Sequence, residues 1–163
     1  MAYLSLLKNP AWDSAFFLFL VVAFFFWGMS RGKKKIAIFV LALYVLNLLF
    51  RFVPIDQFTS GRSPQEIFLF RAGAFLALLV LLTLLLQRSF RGVGAGVEGL
   101  WWEILLLSIL SAGFLLSSFF MLAPELLIKN NLLNLSQITL KLFADSAYAK
   151  WWTIFPIFGI LFL

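Results

Sequence analysis

Neither cysteine nor histidine occurs among the 163 residues. Disulfides, thiolate nucleophiles, histidine metal ligands and histidine-based triads are excluded together. Charge is scarce too. Only 12% of residues are Asp, Glu, Lys or Arg, against about 25% in an ordinary soluble domain. So little charge cannot cover a water-facing surface, and the main solvent of this chain must be lipid. The charge that is present leans basic, with 13 Lys and Arg against 7 Asp and Glu, a net of +6. In a membrane protein such an excess points to topology and anionic lipid, not to nucleic acid. No metal and no cofactor is expected.

What is abundant is apolar: 63% of the chain is hydrophobic, its mean hydropathy is +1.03, and Phe is used 21 times. One membrane domain follows. A bilayer core of ~30 Å takes about 20 apolar residues as helix. The charge-free runs predict four spans, at about 14–30, 36–53, 67–87 and 99–124. Arg51 would snorkel at the end of the second, where Pro54 stops the helix. Residues 28–31, Gly-Met-Ser-Arg, make a poor cleavage site, so the first apolar run reads as a retained span and not as a signal peptide.

Residues 125–163 differ. Ile128, Leu132, Leu135, Ile138 and Leu142 recur at three- or four-residue spacing among Asn, Lys and Ser. That pattern predicts an amphipathic helix on the membrane or on the bundle, with a re-entrant lid as the sharper alternative. The last 13 residues, from Trp151, are apolar but short for a span and contain Pro156. They read as an interfacial tail anchored by Trp151 and Trp152, with partial insertion as a fifth segment left open. The expected fold is therefore all-α: an integral membrane four-helix bundle with a C-terminal amphipathic helix and a short apolar tail. Arg31-Gly-Lys-Lys-Lys35 puts four bases into five residues. Such density in a short loop belongs on the cytoplasmic side, which leaves both chain ends outside.

The candidate functional residues are the polar ones within spans. Arg71 and Glu103 are ionisable groups at membrane depth and are functional candidates for that reason. Their positions put them at opposite membrane faces, with Arg71 in reach of Asp13, Asp56 or Glu66 and Glu103 in reach of Lys33 to Lys35, Arg88 or Arg91. The plainer reading makes both of them helix-end anchors; the sharper one has one of them line a polar cleft. Asn47 is a lone amide in span 2, better suited to an interhelical hydrogen bond than to a ligand. Ser108 and Ser111 share a small-residue face of span 4, which suits close helix packing more simply than a substrate path. No nucleophile, base and acid converge, and no enzyme activity is expected.

Gly94-Ala-Gly96-Val-Glu-Gly99 is a literal G-x-G-x-x-G. A dinucleotide site would need a preceding strand and a βαβ unit. Here a leucine-rich span precedes it and another span follows. The glycines read as a tight inner turn behind Arg91, with the Gly92-x-x-x-Gly96 spacing that favours close helix approach.

Asp13 before span 1, then Gly28-Met-Ser-Arg31-Gly32 at its end, resembles the opening of the colicin V production protein family. Arg91, Gly92 and Gly96 resemble part of that family's second mark, although Leu100 stands where a further glycine is expected. The resemblance implies a four-helix protein of the bacterial inner (cytoplasmic) membrane, both ends outside, acting in toxin export or envelope homeostasis. Its implied partners are the lipid bilayer and a membrane or periplasmic protein, or further copies of itself. It implies no reaction. The alternative is a small transporter subunit with a pocket between spans 2 to 4, reached from outside past Arg71.

Overall fold

The computed structural model describes residues 12–53, 61, 63–90, 100–123, 136 and 139–162. Among these residues the protein is all-helical, with no strand. Four long helices come first: α1 (Trp12–Arg31), α2 (Lys33–Phe50), α3 (Pro64–Ser89) and α4 (Trp101–Leu122). A five-residue π-helical turn, Leu140–Ala144, then leads into α5 (Ser146–Phe162). Three of the helices are long and apolar enough to cross a membrane: α1 from Asp13, α3 and α4. Three lysines open α2, which has only 18 residues.

The helix ends follow from local chemistry. Gly32 is the single non-helical residue between α1 and α2 and has φ 83° and ψ 153°. That backbone region is open essentially to glycine alone. Four residues earlier, Gly28 sits where α1 meets two other helices. A Cβ there would collide with Ile36 of α2 and Ile104 of α4. The two glycines thus have different duties, one in the turn and one at the crossing. At the opposite end α3 starts in a capping box. Ser63 Oγ accepts from the Glu66 amide at 3.3 Å, the Glu66 carboxylate accepts from the Ser63 amide at 2.9 Å, and Pro64 occupies the first turn.

The centre of the bundle is α4, which packs on α1, α2 and α5 and more lightly on α3. Every residue from Ser111 to Ser118 is buried. Three of its hydroxyls are satisfied within the helix: Ser108 Oγ donates to the Ile104 carbonyl at 2.6 Å, Ser111 Oγ to Leu107 at 2.7 Å and Ser118 Oγ to Phe114 at 2.8 Å, whereas Ser117 Oγ donates to the Ala149 carbonyl of α5 at 3.5 Å. Lipid tails are as apolar as leucine, so burying leucine gives little in a membrane, and close backbone approach past small side chains matters more. A second helix, α3, leans on α2 and meets the core through Phe75 and Leu79, with Phe75 edge-on to Phe50 and Phe119.

The four expected apolar runs fall on helices α1 to α4 with shifted ends, and three of these, α1, α3 and α4, are long and apolar enough to cross a membrane. The second starts at Lys33 and not at residue 36, because the lysines form its first turn. The third runs from Pro64 to Ser89, past both ends of the expected 67–87. The C-terminal segment departs further. Most of the expected amphipathic helix, residues 125–135, 137 and 138, lies outside the described residues. The apolar tail is no free end. It continues a helix that begins five residues before Trp151, at Ser146, and runs for 17 residues. Trp152 packs flat against Gly113, in the middle of α4, where a Cβ would overlap its ring. Its indole also stacks on Phe143, with ring centroids 5.1 Å apart, and its N–H donates to the Leu142 carbonyl at 3.0 Å.

Candidate functional site

Polar groups collect at the two ends of the bundle. At the end where α2 and α4 begin, Lys33 Nζ and the Glu103 carboxylate pair at 2.7 Å, and both are half-buried. Lys34 Nζ donates to the Phe90 carbonyl at the end of α3, 3.2 Å away. Glu103 therefore meets one of the bases in its expected reach, and the pair ties α2 to α4. Arg31 lies in the last turn of α1, where a positive charge suits the helix dipole.

At the other end Asp13 is almost fully buried. One of its oxygens accepts from the Ser14 amide at 2.9 Å and the other from the Ser136 amide at 2.8 Å. Ser136 Oγ in turn caps Thr139, accepting from its amide at 3.2 Å and donating to its hydroxyl at 3.0 Å. The first acid of the chain is thus spent on the segment that leads to α5. Phe17, one turn further along α1, touches both Phe143 and Trp152.

At the same end of the bundle, but not lined by the clasp residues, a cavity of about 390 Å³ lies between α2, α3, α4 and α5. Its polar lining is Tyr44, Asn47, Arg51, Arg71 and Thr153, and Phe50 and Phe114 supply part of its apolar wall. Arg71 sits seven residues into α3, about 10 Å along the helix from its start, and is half-buried there. Asn47 spends its amide group on structure: Nδ2 donates to the Leu43 carbonyl at 3.0 Å and to Ser118 Oγ at 2.9 Å, bridging α2 to α4. Tyr44 does something less usual. Pro156 has no amide hydrogen and interrupts the hydrogen-bond ladder of α5. The Tyr44 hydroxyl enters the rung next to this break, donating to the Thr153 carbonyl and accepting from the Ile157 amide. A side chain inserted in a helical ladder satisfies the backbone groups that it separates.

The predicted residues therefore separate. Arg71 and Asn47 come together at the cavity. Glu103 lies at the far end, while Ser108 and Ser111 are buried in the interior of α4 and bonded to their own helix. Asp13, Gly28, Arg31 and Gly32 lie along α1 and its turn, and Arg91, Gly92 and Gly96 are outside the described residues. Sequence reasoning treated Arg51 only as a snorkelling end and missed Tyr44 and Thr153. A signal was present for the first two. Tyr44, Asn47 and Arg51 stand at i, i+3 and i+7, a polar stripe down one face of an apolar helix. Thr153 gave no comparable signal, because its helix was not expected.

No family model matches the chain, and no curated protein and no solved structure matches it.

Proposed function

We propose that this chain is a non-enzymatic scaffold or assembly protein of the bacterial inner membrane, like the colicin V production proteins it resembles, with α1 to α4 as four spans and both ends outside. The observation that carries the reading is where the polar side chains go. Asp13 to Ser136, Asn47 to Ser118 and Lys33 to Glu103 each join separate parts of the chain. Such bonds, typically about 0.6 kcal/mol each in a membrane, fix one arrangement of helices and leave the apolar outer faces of α1 and α3 to meet a partner. Those faces carry Leu18, Phe19, Leu69, Val80 and Leu84, all well exposed.

A second reading is supported by the cavity beside Arg71. A small transporter subunit would hold its substrate there, between α2, α3 and α4. Photo-crosslinking through position 80 or 84 in native membranes separates the two. A membrane protein captured in constant ratio, and retained when Arg71 is replaced by Gln, supports the scaffold. A co-purifying solute lost in that variant, with no protein captured, overturns the scaffold in favour of transport.

Topology has its own test, made simple by the absence of cysteine. Lys33→Cys should resist membrane-impermeant thiol reagents in intact cells, whereas Asn130→Cys should react. The reverse pattern would invert the proposed orientation.

A further inference from the structure

We propose that the cavity between α2, α3, α4 and α5 binds an oxyanion of the phosphate type, gripped by the guanidinium groups of Arg51 and Arg71. Two cations from different helices line one space of about 390 Å³, and no carboxylate is among its described lining residues. Arginine is the residue suited to this work, because its planar fork matches two oxygens of one phosphate group at once. Each guanidinium has five N–H donors, so one already engaged with a protein partner keeps donors for a ligand.

The remaining lining fits the rest of such a ligand. The volume falls in the range of small-molecule sites, about 300–1,000 Å³, and exceeds what a bare phosphate needs. Tyr44, Asn47 and Thr153 offer polar atoms at one wall, and Phe50, Phe114 and Leu122 offer an apolar one. A phosphate carrying a short polar or glycerol-like group uses both walls. The cavity lies near the end of α2, the first turns of α3 and the end of α4, and the tilted rings of Tyr44 and Phe114 meet beside it with centroids 4.5 Å apart. The phosphate can therefore come from a lipid headgroup or from a soluble ester, and the chemistry recognised is the same. The lipid source rests on the membrane reading proposed above; the soluble source does not.

The test uses the full chain in nanodiscs of neutral phosphatidylcholine. One arm adds inorganic phosphate, and the other replaces a fifth of the lipid with phosphatidylglycerol. Thermal stability and retained lipid by native mass spectrometry are read in both. Stabilisation in either arm is expected, and the arm that responds names the source. Arg51→Gln and Arg71→Gln should each weaken the effect about tenfold, while Lys35→Gln, which removes one charge at the far end, should leave it unchanged. Arg51 is exposed at a helix end, so its variant reports on binding even if Arg71→Gln misfolds. No stabilisation by either anion, or equal stabilisation of the Arg51→Gln and wild-type chains, overturns the proposal. Neither outcome touches the scaffold reading, whose test is capture of a protein through α3.

Discussion

Helices α3 and α4 are both long, leucine-rich and charge-poor, yet they do opposite things. In its most apolar stretch α4 is 61% buried, and α3 only 17%. Hydropathy does not separate them. What does is the distribution of small residues. Ser108, Ser111, Ala112, Gly113, Ser117 and Ser118 let three other helices come close to α4, whereas α3 presents Leu76, Val80, Leu81, Leu84 and Leu85 outward. In water the larger side chains would go inside. In lipid the interior goes to side chains that permit contact, with the hydroxyls of Ser108, Ser111 and Ser118 folded back on the helix carbonyls and that of Ser117 turned to α5.

This contrast can be broken most severely at glycine. Gly113→Val places methyl groups where the Trp152 ring lies. It should cost about 3 kcal/mol by overpacking, measured by reversible unfolding in mixed micelles. Gly73→Val on α3, where a Cβ meets nothing within 4 Å, should change stability by under about 1 kcal/mol. Equal effects at the two positions would remove the distinction between the helices. Ser111→Leu makes α4 more hydrophobic but fills a fully buried position; a loss of about 2 kcal/mol is expected, against the direction a hydropathy scale would give. Asn47→Leu removes the link to Ser118 and should cost about 1 kcal/mol. A double-mutant cycle with Ser118→Ala should recover most of that as coupling, and additive losses would show that the bond contributes little. The smallest change is expected for Leu84→Ala, where the side chain is 60% exposed; within about 0.5 kcal/mol of wild type is the outcome that marks α3 as lipid-facing.

The long helices were legible because charge and apolar run length report directly on what lipid will accept. Arg31 and Lys33 bracket the α1–α2 turn, whereas α3 was expected to start at residue 67 and the cap in Ser63-Pro64-Gln65-Glu66 went unread. Glu103 was placed near the lysines by its position at the start of the fourth span, and Lys33 is where it pairs. The last helix was not legible for two reasons. Length was counted from Trp151, although Ser146 to Lys150 continue the same helix. Pro156 was read as a breaker, because nothing near it in the sequence shows that Tyr44, 112 positions earlier, bonds beside the break. The cavity was anticipated in outline, as a pocket between spans 2 to 4 beside Arg71, but most of its lining was not. Its lining joins Arg51, Arg71 and Thr153 from three helices, and only the stripe on α2 leaves a trace in one stretch of chain.

The bond between Asp13 and Ser136 spans 123 positions, and its consequence is one of timing. At ~5–20 residues per second of synthesis, that interval is roughly 6–25 s. Until Ser136 emerges, the carboxylate at the head of α1 lacks the amide that buries it, and the Gly113 socket likewise waits for Trp152. The first and last parts of the chain are completed by one another, so a ribosome that stops early leaves an unclosed bundle with an exposed acid at its rim. A copy that ends before Ser136 would carry that mark, an unburied acid at the head of α1.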